Sequence, residues 1–156
     1  DMKAIKPSAE LAYQFLIDLG EVEQAEQYLQ HWQNQHTIDI AAEQERSYFN
    51  PTDSFSMVQW EQEPLDKLII LLDSIKGVDG IRRAYIVEKN LTYYAEHPMF
   101  LLYLETAIFA GDNAKKDMLR KLQKHLPDNV AVIFHESQYK ALLKAIKAVK
   151  GSCILS

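Results

Sequence analysis

The spacing of hydrophobic and polar positions changes several times along the chain, and one stretch organises the rest. Met99–Thr106 reads Met-Phe-Leu-Leu-Tyr-Leu-Glu-Thr. In an extended strand Met99, Leu101 and Tyr103 lie on one side, and Phe100, Leu102 and Leu104 on the other. Both sides are apolar, which predicts a strand in the middle of a sheet covered on both faces.

Before this stretch the period is helical. Pro7-Ser8 opens a predicted helix, with Pro suited to a first turn and Ser8 to a cap. Glu10, Gln14 and Asp18 recur every four residues as a narrow polar stripe on the otherwise apolar Ala9–Leu19, so this helix is expected to be mostly buried. Gly20 ends it. A second helix is predicted from Glu21 to about Gln33, with Val22, Ala25, Leu29 and Trp32 on one face and Glu21, Glu23 and Glu26 near its start. The short joint at Gly20 makes the two an antiparallel hairpin. No second copy follows at the period of about 34 residues that a helical repeat array requires. Residues from Ile38 to Phe49 are read as a further short helix, with a strand over His36–Ile40 as the alternative. Asn50-Pro51-Thr52-Asp53 is a turn cluster, and Phe55 and Met57 lie near a short extended segment.

Glu61-Gln62-Glu63-Pro64 marks the expected boundary, where an acidic, Gln-rich composition gives way to a Leu/Ile-rich and more basic one. Two segments follow: residues 1–60, acidic and helical, and residues 64–156. A helix is predicted from Pro64, with Leu65, Leu68, Ile69, Leu71, Leu72 and Ile75 as a wide core face, stopped by Gly77. Asp79-Gly80 turns the chain into a strand over Ile81–Glu88, and Lys89–Pro98 connects it to Met99–Thr106 as a hairpin. A helix over 112–126 buries Met118, Leu119, Leu122 and Leu126 and exposes Lys115, Lys116, Arg120 and Lys124. Val130–His135 is the next strand. Ser137 then caps a helix with Tyr139, Leu142, Leu143, Ile146 and Val149 inward. Gly151 ends it, and Ser152–Ser156 follows as a short terminal strand or a packed tail. The order helix, strand, strand, helix, strand, helix predicts a small mixed β-sheet with helical cover beside the N-terminal hairpin, an α+β fold.

Composition narrows the functional classes. The chain has 156 residues and an apolar share of 47%, enough for a core. No run reaches the roughly 18 apolar residues of a membrane span. The first residues lack the apolar block of a signal peptide, and one cysteine, Cys153, excludes an internal disulfide framework. The expected setting is cytoplasmic. Residues 1–63 carry 12 acids and 3 bases, while residues 64–156 carry 10 acids and 14 bases. Four Arg and an overall charge of −5 do not make the basic stripe of a nucleic-acid binder. The asymmetry suits two segments that attract each other, or solvated helix faces.

Several motifs in the second segment occur together: Glu63-Pro64-Leu65 opening an amphipathic helix, Val78-Asp79-Gly80-Ile81-Arg82-Arg83-Ala84-Tyr85-Ile86-Val87, His97-Pro98-Met99-Phe100-Leu101-Leu102-Tyr103-Leu104-Glu105, and Leu126-Pro127-Asp128-Asn129-Val130-Ala131-Val132-Ile133-Phe134. With these, residues 64–150 resemble the C-terminal domain of the bacterial enhanced serine sensitivity protein family. The ending Lys150-Gly151-Ser152-Cys153-Ile154-Leu155-Ser156 departs from the aromatic-rich close of that family. The resemblance implies a cytoplasmic, non-catalytic regulatory or binding module and transfers no catalytic residue.

Candidate chemistry collects in three places. His135-Glu136-Ser137 stands where a strand ends and a helix begins, the edge that open α/β sheets use for ligands. Glu105 lies at the same rim and could pair with His135 as acid and base. The structural alternative gives Ser137 and Glu136 to helix capping. Tyr94 and His97 lie on a loop that is either an aromatic binding loop or a cover for the sheet edge. Cys153-Ile154-Leu155-Ser156 has the form of a prenylation box with Lys140, Lys144, Lys147 and Lys150 upstream; the alternative is a packed apolar tail. No nucleophile, glycine-rich phosphate loop or His-Glu-x-x-His metal pattern accompanies these residues, and His31 and His36 are poorly spaced as ligands, so no cofactor and no metal is expected. The leading expectation is a non-enzymatic binding or regulatory protein. Its partner is a protein or a second copy of the chain, and the N-terminal hairpin or the homodimer roofs the second face of the central strand. A membrane role follows only if Cys153 is lipidated. A small enzyme using His135, Glu136 and Glu105 is the remaining reading.

Overall fold

The computed structural model describes residues 2–60, 66–107 and 111–156, with side chains from Ser8 onward. The chain forms two compact units, residues 1–47 and 48–156. The fold is α+β, with five α-helices and a five-stranded mixed sheet among the described residues.

The first unit is a hairpin of α1 (Met2–Asp18) and α2 (Val22–Ser47). Helix α1 begins at Met2, five residues before the expected start at Pro7. It ends in a Schellman turn. Gly20 adopts φ +79°, its N–H donates to Ile17 O at 2.9 Å, and Glu21 N–H donates to Leu16 O at 2.9 Å. The expected short helices over 21–33 and 38–49 are instead one helix of 26 residues. No Gly or Pro interrupts residues 22–47, and local contacts bridge the expected break. Trp32 stacks on His36, Thr37 Oγ1 donates to Gln33 O at 2.9 Å, and Gln35 Nε2 donates to Asp39 Oδ1 at 3.0 Å. Helix α1 is not the mostly buried helix its pattern suggests. Ala9 and Ala25 are buried, whereas Leu11, Phe15 and Leu19 are 71%, 62% and 60% exposed. Against a single partner helix, a face this wide keeps only one stripe covered.

The second unit is built on β3 (Met99–Thr106). It pairs antiparallel with β2 (Ile81–Lys89) and parallel with β4 (Val130–Phe134). The other edge of β2 carries two short strands, β1 (Phe55–Ser56) near its end and β5 (Cys153–Leu155) near its middle. Strand β2 is reached through Gly80 at φ +94°, where any Cβ would run into Met118 Cε. Leu101, Leu102, Tyr103 and Leu104 are fully buried.

Alternation along β3 sorts its side chains into two cores. Phe100, Leu102 and Leu104 pack with Ala84 and Ile86 beneath α3 (Asp66–Lys76) and α4 (Asp112–Gln123), where Leu68, Leu71, Ile75, Met118 and Leu122 face them. Leu101 and Tyr103 pack with Tyr85 and Val87 beneath α5 (Lys140–Ala148), which contributes Leu142 and Ile146. Cover on both faces therefore comes from helices of the same unit. The expected roof of N-terminal hairpin or second copy is not what closes the second face: α5 is. Residues 64–65, the predicted start of α3, lie outside the described residues. Ile69, assigned above to the core face, is exposed together with Ile70, because the buried stripe follows the narrower spacing of Leu68, Leu71 and Ile75.

Residues 48–60 belong to this second unit and are tied in by a buried cation. Lys89, at the end of β2, is only 6% exposed. Its Nζ lies 2.9 Å from Asp53 Oδ2, donates to Tyr48 O at 2.7 Å, and stands 5.2 Å from the Phe49 ring centroid. Val58 is buried in the core under α3 and α4, and Phe55 packs on the α5 side. The expected boundary at Glu61-Gln62-Glu63-Pro64 lies outside the described residues.

A fragment of residues 48–156 should accordingly unfold as cooperatively as the intact unit. A fragment of residues 61–156 leaves Lys89 without Asp53 and removes Val58. Stripping the partner from a buried charge costs about 3–5 kcal/mol, so urea denaturation should show the shorter fragment weakened by at least that much. Equal midpoints for the two fragments would refute the assignment of residues 48–60 to this unit.

Candidate functional site at the carboxyl edge of the sheet

Parallel pairing of β3 and β4 brings their carboxyl ends together. The N–H of His135 donates to Leu104 O at 2.8 Å, so His135, Glu136 and Glu105 stand at one rim. Tyr94 and His97 precede β3 and lie at its opposite end, on the order of 20 Å away for a strand of this length. The six residues singled out from sequence therefore form two groups.

At the carboxyl rim His135, Glu136 and Glu105 each face a polar or charged side chain. Tyr103 is fully buried as a residue, and its phenol oxygen lies 2.7 Å from His135 Nδ1. With the imidazole proton on Nε2, Nδ1 accepts from the phenol. Burial, then the nearby charge of Glu105, push the Tyr103 pKa far above the usual phenol range, so the O–H persists as a donor. Glu105 sits opposite Arg83 in the β2–β3 register. Its carboxylate lies 2.9 Å from Lys147 Nζ and 3.7 Å from an Arg83 guanidinium nitrogen. Lys147 also stands 5.2 Å from the Tyr85 ring centroid, and its pKa is raised, chiefly by the hydrogen bond to Glu105. Glu136 accepts from Lys115 at 3.3 Å and from Gln138 Nε2 at 3.1 Å. Lys115 is consequently half-buried, not exposed as the helix pattern suggests.

The anticipated acid–base pair of Glu105 with His135 is replaced by two separate pairings, Glu105 with Lys147 and His135 with Tyr103. Ser137 is not a helix cap. It opens a 3-10 turn, Ser137–Tyr139, whose cap position is the extended Glu136, and α5 starts only at Lys140 with no side-chain cap bond. Tyr103, Lys147, Arg83 and Lys115 were absent from the sequence-derived set. For Arg83 and Tyr103 the signal was available: alternation puts Arg83 and Tyr85 on one face of β2, and Tyr103 and Glu105 on one face of β3.

In the amino-terminal group, Tyr94 adopts a left-handed φ of 52°, and its carbonyl accepts from His97 N–H at 3.0 Å. His97 is exposed, with Nε2 3.9 Å from Glu96. Cys153 is exposed, but it lies within β5, paired to Tyr85, and Ile154 and Leu155 pack against the core. Any modification requiring the last four residues as an extended free tail would have to strip β5 from the sheet. Among the described residues no group of three His, Cys, Asp or Glu could hold a metal ion, and no helix is long and apolar enough to cross a membrane.

Comparison with protein-family models, with curated proteins and with solved structures returned no match for this chain.

The raised Tyr103 and Lys147 pKa values make stability pH-dependent at the alkaline end. Both groups keep their protons in the folded state at pH values where the unfolded chain releases them, so their contribution is complete below about pH 10 and declines above it. Tyr103→Phe removes one of the two. Thermal unfolding between pH 8 and 11 should show the native chain losing stability above about pH 10, and the variant losing less over that interval. Parallel profiles would contradict the role given to the buried phenol.

Proposed function

We propose that this chain is a non-catalytic regulatory module that binds a protein partner through its acidic helical hairpin. One observation carries the proposal: Leu11 and Phe15 on α1 and Leu19 in the turn just after it recur at spacing four, each more than half exposed. Contiguous apolar surface of this kind is characteristic of contact sites. Burying one such side chain is worth roughly 1.5–3 kcal/mol, which is ample drive for association. Charge sets the sign of the partner. Residues 1–47 carry nine acids and three bases. That favours a basic surface and opposes hairpin-to-hairpin pairing of two copies, so a different protein is preferred over a homodimer.

Two further points support the reading. His135, Glu136 and Glu105 are engaged by Tyr103, Lys115 and Lys147 in pairings that also lock β3, β4, α4 and α5 together. The resemblance of residues 64–150 to the enhanced serine sensitivity C-terminal domain implies a regulatory or binding module. A cytoplasmic setting belongs to the same proposal.

Replacing Leu11, Phe15 and Leu19 together by Ser tests it. At exposed positions each change should alter stability by no more than about 0.5 kcal/mol. In affinity capture from the native host, the proposal expects a protein retained by the native chain and reduced about tenfold or more with the triple variant, a loss of 1.4 kcal/mol or greater. Identical retention by both chains, or nothing retained by the native chain, refutes it.

A further inference from the structure

The hairpin holds a second feature, separate from the outer row of α1 and independent of the protein-binding proposal. A groove of about 460 Å³ runs between α1 and α2. That volume lies in the range of small-molecule sites. Tyr13 enters it from α1, and Tyr28 and Trp32, one helical turn apart, enter it from α2. Glu10, one turn before Tyr13, adds a carboxylate to the lining. His36 stacks on Trp32 with ring centroids 5.2 Å apart and planes 9° apart, which holds the indole in one orientation. Among the described residues, no Lys or Arg lines the groove.

We infer that this groove is a binding site for a small organic cation of the quaternary ammonium class. Three electron-rich rings line the groove, and Glu10 adds a full negative charge beside them, the combination that attracts a cation to aromatic surface. The acidic balance of residues 1–47 deepens the same potential. An anion would meet the Glu10 carboxylate and, among the described residues, no compensating base. A neutral apolar molecule would use the rings but not the carboxylate. A primary ammonium would give up strong hydration for a lining with few acceptors, whereas alkylated nitrogen carries its charge on an apolar surface that fits aromatic walls.

The test uses the full chain with Trp60→Phe, which leaves Trp32 as the only tryptophan. Choline and its neutral isostere 3,3-dimethylbutan-1-ol are titrated against Trp32 emission. The inference expects a saturable response to choline, with an apparent Kd about tenfold or more below that of the neutral compound. Glu10→Gln changes an exposed side chain and should shrink that preference about threefold or more, and Tyr13→Leu should weaken choline binding, both with helicity by circular dichroism unchanged. Equal affinity for the two compounds, a preference undiminished in Glu10→Gln, or no saturable response to choline overturns the inference. A response to a Lys-rich peptide in place of choline also overturns it, because the groove would then belong to a protein partner.

Discussion

The second unit depends on one constraint: β3 is apolar above and below, so neither of its faces can be left to water. Each layer of the unit answers to that requirement. Leu102 and Leu104 draw α3 and α4 onto one side, and Leu101 and Tyr103 draw α5 onto the other. The need to keep β3 interior also explains its neighbours. β2 and β4 flank it, and the short β1 and β5 finish the far edge of β2. Burying Tyr103 entirely then creates a local polar problem, because its phenol needs a partner away from water. His135 supplies it, and the carboxyl rim is organised around that pairing.

Much of this second unit was legible from residue order. The two-sided character of Met99–Thr106, the strands that start at Ile81 and Val130, and the helix end at Gly77 follow from local pattern and turn chemistry, whereas the last helix stops at Ala148, three residues before the Gly151 expected to end it. The source of the cover was not legible. A pattern reveals that a face must be buried but not which helix buries it, and the amphipathic run from Tyr139 to Val149 was as able to roof the sheet as any distant segment. The hairpin was misread for a related reason. The broad apolar arc of Ala9–Leu19 signals burial only if enough neighbours surround it, and α2 is one helix. Gln33–Thr37 looked like a break because its polar residues have modest helix propensity. Side-chain bonds and the Trp32–His36 stack carry the helix through.

The candidate chemistry shows a similar division. Placement at a sheet edge was readable, since His135 and Glu105 end parallel neighbours. Partnership was not, because Lys147 and Tyr103 are distant in sequence from the groups they meet. A set of residue types at a promising edge can equally be a set of ties between layers, and only the distances separate the two. The groove of the hairpin escaped sequence reading altogether: Tyr13, Tyr28 and Trp32 sit at helical spacings that also describe an ordinary packing stripe.

The strand order has a consequence of its own. One side of the sheet is finished by β1 and β5 laid end to end along β2, but at the other side the ladder stops at β4, which no described strand flanks. Val130–Phe134 reads Val-Ala-Val-Ile-Phe, without a charge, a proline or a glycine. An edge strand of this composition is of the kind that recruits a foreign strand. The charged Asp128 and the polar His135 bracket that strand, the placement by which natural sequences keep an apolar edge from pairing with another molecule.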